Sequence, residues 1–287
     1  FRPREFEPSV WLRGAHAQTI LGKLLRRPPD QRVDRMRVAT PDGDFLDIDI
    51  GPEPRPQSPV VLILHGLEGS SLRSYVRSAM AALTSHGIQA VAMNFRACSG
   101  VPNRLARFYH SGETGDPAFV LNVLRERFPG RPLGALGFSL GGNMLLRLLG
   151  EMGASAPADL MGAVAISVPY DLAGGADMLE SGLMGPVYAE YFLRSLRRKA
   201  RAKAQLLRGV IDLERALAAR TIREFDDAAT APLHGFPNAA DYYARASSLP
   251  ILSSVRVPTY LIHAMDDPFV RIEDVPEDEV GANPWLV

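Results

Sequence analysis

The chain has 287 residues, 46% hydrophobic and 22% charged, with 32 Lys+Arg balanced by 32 Asp+Glu, the make-up of an ordinary soluble globular protein. A formal net charge of zero supplies no field to gather nucleic acid, and a single cysteine excludes an internal disulfide and a zinc site built on Cys ligands. The longest apolar runs, such as residues 59–64, fall far short of the roughly 20 residues that cross a bilayer, so no transmembrane helix is expected.

In chain order, residues 35–50 alternate apolar and polar side chains around Pro41-Asp42-Gly43, the pattern of a β-hairpin. A Pro-rich loop at 51–59 follows. Short aliphatic runs at 60–64, 90–95, 133–136, 163–168 and 259–263 read as buried strands. Helical patterns separate them: 75–86, stopped by Gly87; a helix opened by Asp116 as N-cap with Pro117 at its first position; and 143–149. Strands alternating with helices predict an α/β architecture, a mostly parallel sheet covered on both faces with the antiparallel hairpin at one edge.

Residues 170–246 break the alternation and predict a helical cap inserted between two strands of one domain spanning 1–287. The basic run Arg194, Arg197, Arg198, Lys199, Arg201, Lys203 and Arg208 within it reads as a solvated helix face.

Gly137-Phe138-Ser139-Leu140-Gly141 matches G-x-S-x-G, in which glycines permit a sharp strand-to-helix turn that exposes a Ser hydroxyl. Its setting between an apolar run and a helical pattern is the one this chemistry needs, which makes Ser139 the candidate nucleophile. His65-Gly66-Leu67-Glu68-Gly69 is similar to the HG loop that supplies an oxyanion-hole amide, so Leu67 and Leu140 are the candidate donors. His65 lies inside that loop and reads as structural. The acidic turn after the last strand holds Asp266 and Asp267; the acid belongs three residues after the strand-ending Ala264, which selects Asp267 to orient a catalytic imidazole. Chain order Ser, acid, His requires the base to follow Asp267, yet all six histidines (His16, His65, His86, His110, His234 and His263) precede it. The expectation is a C-terminal truncation that leaves the last strand, the catalytic His and the final helix beyond Val287. At the other end Phe1 stands in place of Met, so a removed leader stays open.

These residues resemble the YheT-like esterase branch of the α/β-hydrolase superfamily, related to eukaryotic abhydrolase-domain lipases. The likeness includes His16-Ala17-Gln18-Thr19, the HGLEGS loop at 65–70, Asn94 to Gly100 with Ala97 in place of a glycine, Tyr109-His110-Ser111-Gly112-Glu113-Thr114, Phe138 to Asn143 and Ala264 to Phe269. The resemblance implies a hydrolase sheet with a helical cap and a Ser-Asp-His triad.

The function expected is a serine hydrolase of carboxylic esters, short- to medium-chain acyl or lipid esters, working through an acyl-enzyme on Ser139. The alternatives are an acyltransferase on the same nucleophile and a non-catalytic binding protein. Met178, Leu183, Met184, Tyr188, Tyr191 and Phe192 either form an acyl pocket or pack the cap. Cys98 reads as packing, and Arg96 as the partner of Glu113 or Asp116. No metal or nucleotide motif occurs, so no cofactor is expected. The partners expected are small-molecule esters or lipids and no nucleic acid, in a cytoplasmic location; membrane association and oligomeric state stay open.

Overall fold

Strands form where aliphatic and β-branched residues run together. In the computed structural model, which describes residues 14–25, 27 and 29–287, a seven-stranded sheet has the order β1-β2-β4-β3-β5-β6-β7. Its strands are β1 (Asp34–Ala39), β2 (Phe45–Ile50), β3 (Val60–Leu64), β4 (Gln89–Asn94), β5 (Leu133–Phe138), β6 (Leu160–Ile166) and β7 (Thr259–Ile262). The hairpin β1-β2 is antiparallel, β2 joins β4 antiparallel, and β4, β3, β5, β6 and β7 run parallel. In the hairpin Arg35 lies opposite Asp49 and Arg37 opposite Asp47. Each pair closes a two-pronged ion pair at 2.7 and 2.9 Å.

Helices cover both faces. Val76 and Met80 of α2 (Ser74–Ser85) pack on Ile63, Ala90 and Ala92. The opposite side chains, Leu62, Leu64, Val91 and Met93, share a core with α3 (Gly115–Arg127) and α4 (Leu140–Met152), as the two-residue period of a strand requires. A further helix, α1 (Ala15–Leu25), precedes the sheet. Among the described residues no helix is long and apolar enough to cross a membrane.

Two strands differ from their expected limits by more than one residue. β5 continues to Phe138, and β6 runs from Leu160 to Ile166 where 163–168 was expected. Glycine lowers strand propensity and hides both extensions; in the sheet Gly137 is paired with Leu64 and Ala165, and Gly162 with Gly134. The Asp116 N-cap is also corrected. α3 starts at Gly115 behind Thr114, and the Asp116 carboxylate is taken by Arg96, whose Nε and Nη2 each donate at 2.7 Å.

Between β6 and β7 the chain runs through α5 (Leu172–Glu180), α6 (Gly185–Ala202), α7 (Ala204–Leu207), α8 (Leu213–Ala218), α9 (Ile222–Phe225), α10 (Ala231–Leu233) and α11 (Ala239–Ala246). α6 to α9 share a core centred on Leu193, Leu207, Ile222 and Phe225, and α5, α10 and α11 a second one around Leu172, Ala231 and Tyr242. The basic run on α6 is not uniformly solvated. Lys203 is buried and donates to the carbonyls of Leu105, Ala106 and Arg107, and Lys199 reaches Glu68. One turn apart at the end of α6, these two lysines tie the excursion to the sheet's loops.

After α12 (Glu277–Ala282) the chain returns to the sheet edge, where Thr259 N–H donates to Trp285 O at 2.8 Å and Leu261 N–H to Val287 O at 2.7 Å. Residues 285–287 thus lie along β7.

Candidate active site

Ligands of open α/β sheets bind at the carboxyl ends of the parallel strands. Here four of those ends carry a non-glycine residue in the left-handed region: Glu68 after β3 (φ 52°), Ala97 after β4 (φ 61°), Ser139 after β5 (φ 51°) and Ser167 after β6 (φ 52°). Such strain gathers where function demands it. At Ala97 it falls on the position where the resembling family carries glycine.

Ser139 is the hinge between β5 and α4. Its N–H donates to Ile166 O and its carbonyl accepts from Gly142 and Asn143. The flanking glycines are required by contact. A Cβ on Gly137 would lie 2.5 Å from Gly141 O, and one on Gly141 would lie 2.5 Å from His65 O and 2.6 Å from Leu64 O. The turn is therefore tight enough that α4 starts against the end of β3.

That end is the His65 to Gly69 loop, which touches the Ser: a Cβ on Gly66 would stand 3.3 Å from Ser139 Cβ. Two tyrosines hold the amides on either side of Leu67. Gly66 N–H donates to Tyr75 OH and Glu68 N–H to Tyr109 OH, each at 2.9 Å. Among the described residues neither Leu67 N–H nor Leu140 N–H donates to a protein acceptor. His65 is buried, donates from Nδ1 to Gly66 O at 2.7 Å and accepts at Nε2 from Phe95 N–H at 3.2 Å. Burial pushes its pKa down to about 3, so it stays neutral.

Asp267 sits in the turn after β7. Its Oδ1 accepts from Phe269 N–H at 2.9 Å and Val270 N–H at 3.4 Å, whereas Asp266 is exposed and meets Gln18 Nε2 at 3.3 Å. α1 braces this region, because His16 Nδ1 is 2.8 Å from Tyr188 OH and the Tyr188 ring packs on Phe269 at 4.8 Å.

Above Ser139 is a cavity of about 130 Å³. Its walls are mostly apolar, with Leu172, Leu179, Phe192, Ile222 and Phe225 from the helical excursion and Phe269 from the Asp267 turn, and they also carry the polar side chains of Glu68, Lys199 and Asp226. Among the aromatic and aliphatic residues named from sequence as a possible pocket, Phe192 lines it; Leu183 is 98% exposed and Tyr188 packs elsewhere. Sequence periodicity showed helices here but not which face the sheet would select.

A family model described as alpha/beta hydrolase fold matches residues 59–284. The chain is 39% identical over 279 residues, 96% of its length and 81% of the relative's, to the Escherichia coli (strain K12) protein named "Putative esterase YheT". The chain belongs to the α/β-hydrolase family. It is also 34% identical over 236 residues to the Saccharomyces cerevisiae monoacylglycerol lipase, covering 80% of this chain and 52% of that one, about half the relative's length. The Pyrococcus furiosus esterase Pf2001 superposes with a TM-score of 0.58 at 18% identity, over 90% of this chain and 80% of that one, which shows the shared fold.

In this α/β-hydrolase no histidine among the described residues hydrogen-bonds Ser139, although His110 and His234 line the same cavity. His110 and His234 stack at 4.5 Å within the cavity wall, where burial lowers them to about 4 and about 3; His110 Nδ1 accepts from Gly112 N–H. His263 Nε2 lies 3.0 Å from Val270 O, and His86 is exposed at the end of α2. Sequence reasoning missed Tyr75, Tyr109 and Lys199. Tyr109 lies in a recognisable motif but its hydroxyl's partner is 41 residues away in the chain, and Lys199 was concealed in a run of surface-type basic residues.

Proposed function

We propose that this protein is a serine hydrolase that cleaves carboxylic esters through an acyl-enzyme on Ser139. The observation that carries this is the strained Ser139 elbow under an apolar cavity, beside two amides, Leu67 and Leu140, left without protein acceptors among the described residues. Ser139 Oγ attacks the ester carbonyl carbon, and the two N–H groups receive the negative charge that develops on its oxygen. Each such donor lowers the barrier by about 3 kcal/mol in comparable sites. Leu140 opens α4, so the helix dipole adds to the stabilisation. The alcohol leaves, and water hydrolyses the acyl-enzyme.

Asp267 orients and stabilises the imidazolium of a histidine base, and the two amides on its Oδ1 hold the carboxylate still for that task. Among the described residues no histidine hydrogen-bonds Ser139. Lys199 does not replace the base, since Glu68 keeps its ammonium charged. The helices at 170–246 act as the cap, and their apolar wall selects aliphatic acyl chains, which gain about 25 cal/mol for each Å² of apolar surface removed from water. The esterase and lipase names of the relatives agree with this substrate class.

The test is labelling of the natural protein with a fluorophosphonate, followed by peptide mapping. An adduct on Ser139, lost in Ser139→Ala together with at least about a thousandfold of ester hydrolysis, is the expected result. No adduct, or one on another side chain, refutes the proposal.

A further inference from the structure

A buried cluster outside the reacting groups connects the helical excursion to the loop that carries Leu67. Lys199 Nζ on α6 lies 2.7 Å from Glu68 Oε1 and 3.0 Å from Cys98 Sγ. Tyr109 OH donates to the same Glu68 oxygen at 2.8 Å while accepting from Glu68 N–H at 2.9 Å. Glu68 is 4% exposed. Burial alone would push its carboxyl up, but Lys199 and the surrounding hydroxyls more than offset this and hold it ionised. Burial also pushes the Cys98 thiol up to about 11, so the thiol is neutral and Glu68 is the anion that balances Lys199. Removing one partner of such a pair leaves an uncompensated buried charge.

We propose that Lys199 is a positioning residue for the oxyanion loop: its ammonium neutralises Glu68, which lets Tyr109 clamp the Leu67–Glu68 peptide in its left-handed turn with Leu67 N–H aimed at the site. The role rests on Leu67 donating to the oxyanion in ester cleavage. Because the ammonium comes from α6 and the clamp from the sheet's loops, the loop is set only when the excursion is docked. The groups facing Glu68 are Lys199 and the Ser195 hydroxyl from α6, Tyr109 and Cys98 from two loops, and Arg73, which donates to Glu68 O at 2.7 Å; His65 beside them is neutral. Lys199 is the cation bonded to the Glu68 carboxylate.

The test compares the natural protein with Lys199→Met, Lys199→Arg and the double variant Glu68→Gln/Lys199→Met. It reads amide hydrogen exchange of residues 66–69 and, separately, kcat and KM for a p-nitrophenyl ester across pH. In Lys199→Met the Glu68 and Gly69 amides exchange at least about tenfold faster. Its kcat falls about 10- to 100-fold with KM within about twofold, as for an oxyanion donor moved out of place. The deficit relative to the natural protein deepens as pH rises, because an unpaired buried Glu68 is tolerated as the neutral acid and expelled once ionised. The side-chain amide introduced by Glu68→Gln cannot ionise and still accepts from Tyr109, so the double variant recovers exchange protection and kcat, and Lys199→Arg keeps both. Should Lys199→Met not fold, the same comparison is read as recovery of Tm in the double variant. Unchanged exchange in Lys199→Met, or a double variant no better than Lys199→Met, overturns the proposal. If the natural protein neither turns over ester nor labels at Ser139, the hydrolase function falls, and exchange alone decides the clamp.

Discussion

Gly141→Ala puts a methyl group where the start of α4 meets the end of β3. The added Cβ would stand 2.5 Å from His65 O, 2.6 Å from Leu64 O and 2.8 Å from Leu64 C. All three are backbone atoms, each roughly 0.6 to 0.9 Å inside the range of ordinary carbon contacts. Residue 64 is locked in register with Met93 of β4 and Gly137 of β5, so β3 cannot yield without breaking both ladders. The helix must back away instead. Overpacking of this kind costs about 3 kcal/mol at the upper end, and the better helix propensity of alanine returns about 1 kcal/mol, for a net loss of about 2 kcal/mol. For a chain of this size that lowers Tm by about 3–4 °C. Gly281→Ala in α12 is the control, because no atom lies within 4 Å of its Cβ position and only propensity acts; its Tm rises by up to about 2 °C. Thermal unfolding of both variants by circular dichroism reads the difference. A Gly141→Ala protein as stable as the natural one would refute the steric argument for the G-x-S-x-G spacing.

Arg96→Met should cost about 3–5 kcal/mol in urea unfolding, since it strands Asp44 and Asp116 in a buried network; a loss under about 1 kcal/mol would show the carboxylates finding other partners. Asp226 is raised from 3.8 to about 6 by burial, against the hydroxyls of Thr230 and Tyr243 that favour its charge. A raised carboxyl binds a proton more tightly folded than unfolded, so its contribution falls as pH climbs from about 4 to about 7, by about 3 kcal/mol in order of magnitude. Asp226→Asn should flatten that part of the stability curve, and an identical slope in both proteins would count against a buried, raised Asp226. Asp267→Asn should keep Tm within about 2 °C, because Oδ1 still accepts from Phe269 and Val270, while ester hydrolysis drops about 10³- to 10⁴-fold. Loss of fold without a separate loss of turnover per folded molecule would reassign the carboxylate to the turn alone.

What could be read in advance follows from the range of the forces involved. The hairpin, the parallel strands and the helix after Ser139 are written in periodicity and turn chemistry over about ten residues or fewer, and the fold confirms their order. The strand ends at Gly137 and Gly162 were misjudged because a glycine is held in a strand by its neighbours in the sheet, Leu64 and Ala165 for Gly137 and Gly134 for Gly162, and not by its own propensity. Asp116 looked like a cap because the residue type and the following proline fit one, but a guanidinium 20 residues away takes its carboxylate.

The composition and local pattern determined by themselves that this chain folds as an α/β protein and that a serine stands on a strand-to-helix turn, since propensity and side-chain alternation act between near neighbours. Tertiary structure alone decided which apolar residues of the helices at 170–246 line the cavity and which lysine of a basic run is buried against Glu68. Lys199 and Glu68 are separated by 131 residues. No local rule assigns a charge to the interior; only the packing of α6 on the loops removes water from that pair and gives it a role.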